Sequence, residues 1–134
     1  MFHHFHPYEP YLHKNTKKII VGTLPPPRFC TKEYKANDVD FCYGSQDGLL
    51  WKALDVIFNL KLEYQNTKEE VQKRKNFLIK EKIGVCDIVH SCKREKIDAS
   101  DLGMSDVQLR DILNYIRVYE NIDTIIFTGG NSKN

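Results

Sequence analysis

Three short runs rich in β-branched residues, 18–22 (KIIVG), 83–89 (IGVCDIV) and 122–128 (IDTIIFT), most constrain what this chain can fold into. Each is too short for a helix and lacks the strict alternation of a strand with one wet face. That is the pattern of strands covered on both sides, as in a parallel sheet. Segments with helical spacing lie between them. Residues 48–59 put Leu50, Leu54 and Ile57 on one stripe, and residues 67–81 open with the capping box Thr67-x-x-Glu70. A third helix is expected from Ser105-x-x-Gln108, carrying Leu109, Ile112, Leu113 and Ile116. With right-handed crossovers this order predicts an α/β fold, a three-layer αβα sandwich around a short parallel sheet.

Parallel strands share their carboxyl end, so the loops after them should open onto one rim, where open α/β sheets bind ligands. Those loops read "TLPPPRF", "HSCKREKIDASDLGM" and "GGNSKN". The first is unusual. Three consecutive prolines forbid helix and remove three backbone donors, so the chain leaves its first strand stiff and extended. Loops that only connect are usually mobile; a rigid one holds something in place.

Composition narrows the function classes. A chain of 134 residues with 41% hydrophobic and 28% charged content is expected to form one ordinary globular domain. No apolar run approaches the roughly 20 residues of a membrane helix, so a membrane-spanning helix is excluded and no membrane partner is expected, and the N-terminus lacks the pattern of a secretory signal. The net charge of +2 does not by itself require a polyanion, although cations cluster in 14–18, 71–82 and 91–96. Such runs are solvated faces or phosphate contacts. Cys30, Cys42, Cys86 and Cys92 form no C-x-x-C pair, so reduced thiols in the cytoplasm are expected, without zinc or an iron–sulfur cluster. The run His3-His4-Phe5-His6 has no acidic or thiol partner beside it in sequence, so no functional metal is assigned. There is no P-loop, no G-x-G-x-x-G and no G-x-S-x-G elbow. A His90–Cys92 nucleophile pair lacks a third orienting group.

Four stretches together resemble the uracil-DNA glycosylase superfamily. Its first motif follows the first strand as G-x-x-P, here Gly22-Thr23-Leu24-Pro25. Within it the chain is most similar to the hypoxanthine-directed branch. "HPYEPYLHKNTKKIIVGTLPPP" resembles that branch's H-P-[FY]-x-P lead-in, and "DFCYGSQDGLLW" its aromatic-x-x-x-x-N-x-[FL]-W segment. "GVCDIVHSCKREKIDASDL" resembles its D-[VI]-x-x-S-C-x-R-x-x-x-D-S run, and "IIFTGGNSKN" its third strand ending in F-N-G. The resemblance spans nearly the whole chain, and the second-strand run is its most specific part.

The resemblance implies parallel strands in the order 2-1-3-4, of which the fourth is not in this sequence. It implies hydrolysis, in base-excision repair, of the bond joining a deaminated base, uracil or hypoxanthine, to deoxyribose, with no metal or cofactor. The implied partner is DNA carrying that base, and the implied intact form is a monomer. A base swung out of the duplex needs a tight pocket, and a pre-shaped proline loop does not have to be ordered when the base arrives. The sugar becomes cation-like as the base leaves, so the site needs dipoles more than a strong nucleophile.

Roles follow position by position. Gly22 permits close approach of the backbone, or simply ends the strand. Thr23 orients the attacking water, or makes a local turn bond. Pro25 shapes the loop along DNA, Phe29 stacks on the flipped base or packs in the core, and Tyr43 walls the pocket. Asp87 accepts N–H bonds from the base, or pairs with Lys93 or Arg94. Ser91 and Arg94 line the rim, Arg94 on phosphate or on Asp87.

Two departures from the family pattern matter. The Asn expected three residues before Trp51 is replaced by Gly48, preceded by Gln46 and Asp47. Either Asp47 substitutes as general base by a one-residue shift, or the site is disabled. The family's S-P loop after the fourth strand is also not in this sequence. These 134 residues alone, with strand three as an uncovered edge, are therefore expected to be poorly stable and inactive on uracil- or hypoxanthine-containing DNA. Two other readings share the cleft: a non-catalytic DNA-binding module, and a nucleoside hydrolase or nucleotide-binding protein.

Overall fold

The computed structural model describes residues 2–95, 97 and 103–128. Its elements are β1 (Phe2–Phe5), β2 (Lys18–Val21), α1 (Arg28–Thr31), α2 (Leu50–Phe58), α3 (Lys68–Lys80), β3 (Ile83–Val85), β4 (Val89–Arg94), β5 (Met104–Leu109), α4 (Ile112–Val118) and β6 (Thr124–Phe127). The architecture is mixed α/β, with two small sheets. One is parallel, in the order β3-β2-β6, so the second, first and third predicted strands lie in the implied sequence. The other is β1-β4-β5, with both pairings antiparallel.

The central strand β2 shows why its run reads as continuously apolar. Ile20 packs into a core with Trp51, Phe77 and Leu78, while Ile19 and Val21 are equally buried outside that cluster. Helix α2 is fixed through Trp51, whose indole N–H donates to the Cys42 carbonyl at 2.8 Å. Leu50 and Leu54 of the predicted stripe are half-buried, but Ile57 is 70% exposed. In α3 the predicted capping box is half made. The Thr67 hydroxyl accepts the Glu70 N–H at 3.2 Å, while the Glu70 carboxylate turns away to the Glu63 N–H at 2.7 Å and to Lys73 and Arg74. Thr67→Ala should therefore lower stability by about 1 kcal/mol, read as a shift in the urea midpoint.

Two sequence expectations are corrected. The predicted second strand breaks after Val85. Cys86 and Ile88 still donate to the carbonyls of Ile20 and Gly22, but the chain then leaves to form β4 in the other sheet. Residues 90–94, read from sequence as the start of the rim loop, are thus strand. The predicted helix from Ser105 begins only at Ile112; residues 104–109 are β5, paired with β4 from Val89↔Leu109 to Arg94↔Met104. Long-range pairing with β4 overrides the local helical spacing. The remainder of that predicted loop at 96 and 98–102, and the GGNSKN segment from 129, lie outside the described residues. Among the described residues, no helix is long and apolar enough to cross a membrane.

Candidate functional site

A cavity of about 380 Å³ opens over the carboxyl ends of the parallel strands. It is lined by residues 22–26 after β2, by Asp87 after β3, by Thr128 after β6, by the 42–48 loop and by His6 after β1. Six predicted residues meet there: Gly22, Thr23, Pro25, Tyr43, Asp47 and Asp87.

Asp87 is the hub. Its side chain is 6% exposed, and three donors converge on it. The Gly22 N–H and the Tyr43 hydroxyl reach Oδ1 at 2.8 and 2.7 Å, and His6 Nε2 reaches Oδ2 at 2.7 Å. Burial pushes the Tyr43 hydroxyl far above the usual phenol range, and the Asp87 charge adds to that, so Tyr43 remains a donor. Tyr43 reaches this position from a left-handed backbone, φ 58°, which bulky residues avoid unless the surroundings impose it. Gly22 leaves no room for a side chain. A Cβ there would lie 2.2 Å from the Tyr43 hydroxyl oxygen and 2.7 Å from Thr128 Oγ1.

The two walls are tied to each other. Arg28, directly after the prolines, grips Asp38 with two bonds of 2.7 and 2.9 Å and also donates to Ser45 Oγ at 2.9 Å. Asp38 is fully buried and takes the backbone N–H groups of Lys35 and Gln46 as well. Burial alone would raise its pKa, but the Arg28 bonds and the two N–H groups hold it below the usual carboxylate value. The proline loop is therefore anchored at its far end to the loop that carries Tyr43 and Asp47. Asp47 itself sits at the mouth, its side chain 68% exposed, with Arg28 at 3.9 Å and Lys35 at 3.7 Å.

The other predicted residues lie elsewhere. Phe29 is buried in α1, edge-on to Tyr8 and Tyr34, so it packs in the core and does not face a ligand. Ser91 is buried in β4. Arg94 is also buried, and its Nε donates to His4 Nδ1 at 2.8 Å, so it offers no surface to a phosphate. Asp87 pairs with His6 in place of the Lys93 or Arg94 partner considered from sequence; Lys93 lies 3.3 Å from Asp106. The His90–Cys92 pair is also undone, since Cys92 is buried and His90 exposed.

His4 and His6 are the site residues that sequence reasoning missed. His4 Nε2 donates to the Pro25 carbonyl at 2.9 Å, while His6 holds Asp87. Burial, with the Arg94 guanidinium beside it, pushes the His4 imidazole down to about 4 against the opposing pull of the Pro25 carbonyl. The available signal was spacing: residues two apart on an extended segment point to the same face.

A stiff loop and a buried carboxylate held by three donors over the ends of a parallel sheet form a candidate ligand site of the open-sheet class. The solution NMR structure of a "putative Uracil DNA glycosylase" from Methanosarcina acetivorans is similar to this chain, with a TM-score of 0.71 at 20% identity over 98% of this chain and 73% of that one. The fold is thus uracil-DNA-glycosylase-like. No protein-family model and no curated protein sequence matches the chain.

Proposed function

We propose that the cavity is a nucleobase pocket and that the protein is of the DNA glycosylase class, directed at a deaminated base flipped out of DNA. The observation that carries this reading is the convergence of the Gly22–Pro25 turn, Tyr43 and Asp87 on one cavity in a fold of that kind. At about 380 Å³ the cavity lies at the small end of ligand sites, which run from about 300 to about 1,000 Å³. In this reading Thr23 orients water, Asp47 acts as general base and Asp87 accepts an N–H of the base; their common place on the cavity wall supports it. The hypoxanthine-directed branch is the finer assignment, resting on the sequence resemblance.

A second reading, a base-binding module without hydrolysis, is favoured by one observation. Asp47 is largely in water and lies within ion-pair distance of Arg28 and Lys35, contacts that compete with its service as a general base. Both readings predict millimolar binding of free uracil or hypoxanthine, seen as NMR shifts confined to the cavity; no binding would remove both. Duplex DNA carrying one deoxyuridine or deoxyinosine, treated with the protein and then with alkali, separates them. Cleavage at that position, falling roughly a hundredfold in Asp47→Asn, identifies the enzyme. Intact DNA leaves the binding module.

A further inference from the structure

We propose that His6 is a specificity-determining positioning residue. By fixing the hydrogen-bond polarity of Asp87, it makes the cavity select ligands that present a ring N–H and reject those that present a ring acceptor. This rests on the nucleobase reading above.

The Tyr8 N–H lies 3.1 Å from His6 Nδ1, and an amide N–H only donates, so Nδ1 must accept. A neutral imidazole that accepts at one nitrogen carries its proton on the other. His6 Nε2 is therefore the N–H, and it points at Asp87 Oδ2 from 2.7 Å. With the Gly22 N–H and the Tyr43 hydroxyl on Oδ1, three of roughly four lone-pair sites of the carboxylate are taken by donors. The remaining site can only accept. Asp87 is therefore held as the ionised acceptor: a carboxyl proton on Oδ2 facing His6 would require reversing the imidazole, which would set Nδ1–H against the Tyr8 N–H.

Deamination changes this feature of a base. Cytosine and adenine carry a bare ring nitrogen next to the exocyclic amine, an acceptor; uracil and hypoxanthine carry N–H there. An enforced acceptor on the cavity wall reads that difference, because a ligand acceptor set against it leaves two buried lone pairs facing each other. The His3–His6 run, which looked like an idle metal-binding stretch, thus acquires a role in discrimination.

The test uses the full chain with 1-methyluracil and 1-methylcytosine, in which the position joined to sugar is blocked. Wild type should bind 1-methyluracil at least tenfold more tightly by NMR titration. His6→Gln, which retains an N–H near the Nε2 position, should keep that preference. His6→Phe should reduce it to within threefold while the amide spectrum stays dispersed. A folded His6→Phe with the wild-type preference would overturn the inference and leave the pocket reading standing. Wild type taking up neither compound would overturn both. Independently of folding in any variant, the ¹⁵N shifts of the His6 ring in wild type should show the neutral Nε2–H tautomer; an Nδ1–H tautomer overturns the inference.

Discussion

Gly22→Ala should destabilise the protein by roughly 2–4 kcal/mol and abolish base binding, because the added methyl and the Tyr43 hydroxyl need the same space. The Cβ would sit 2.2 Å from that oxygen, 2.7 Å from Thr128 Oγ1 and 3.2 Å from Asp87 Oδ1. Thr128 can turn aside, but Tyr43 is held by its ring and by its bond to Asp87. Moving it gives up a hydrogen bond to a buried charge. The specific expectation is non-additivity. Tyr43→Phe removes the clashing oxygen, so the double variant Gly22→Ala/Tyr43→Phe should be more stable than the sum of the single losses by at least about 1 kcal/mol. Urea unfolding of the four proteins measures this, and additive losses would show that the contact is not where the strain lies.

Acidification should weaken the fold well before the carboxylates titrate. His4 is fully buried, and its imidazole is held at about 4 against an ordinary 6.5 by burial first, then by Arg94, with smaller contributions from His6 and His3. In the unfolded chain His4 takes up a proton as pH falls through 6.5, while the native form does so only near 4. The native state therefore has this contribution in full above 6.5 and loses it as pH falls toward 4. A gap of about 2.5 pH units at about 1.4 kcal/mol each amounts to about 3 kcal/mol. Asp38 and Glu70, both held below their ordinary values, add their losses at still lower pH. Urea midpoints between pH 7 and pH 4 should fall in wild type and stay flatter in His4→Gln, which can still bridge Arg94 and Pro25. An equal slope in both would assign the acid sensitivity elsewhere.

The same two histidines mark the limit of what local sequence can show. The parallel strands β2, β3 and β6, helices α2 and α3 and the Thr67 cap were legible because each is written in neighbouring residues: β-branched runs, an apolar stripe, a hydroxyl at a helix start; the order β3-β2-β6 came only from the family resemblance. The cavity's position followed from those, since chain direction alone places the loops after Val21, Val85 and Phe127 at one end of the sheet. Thr23, Asp87 and, from the loop before α2, Tyr43 and Asp47 line that cavity.

The antiparallel sheet was not legible. Residues 105–116 have good helical spacing, and an edge strand such as β5 is decided by a partner, here β4, that no local window contains. The N-terminus is similar: His4 and His6 face inward only because Phe2–Phe5 pairs with residues 91–94. Phe29 and Arg94 erred in the opposite sense, since an aromatic and a cation that sequence would offer to a ligand are both used up in packing. Short-range chemistry in the sequence thus determined the parallel layer and where its cavity lies. Which groups face that cavity, and with what hydrogen-bond polarity, was decided by tertiary structure, because a donor such as the Tyr8 amide acts on Asp87 only after distant segments are brought within bonding distance.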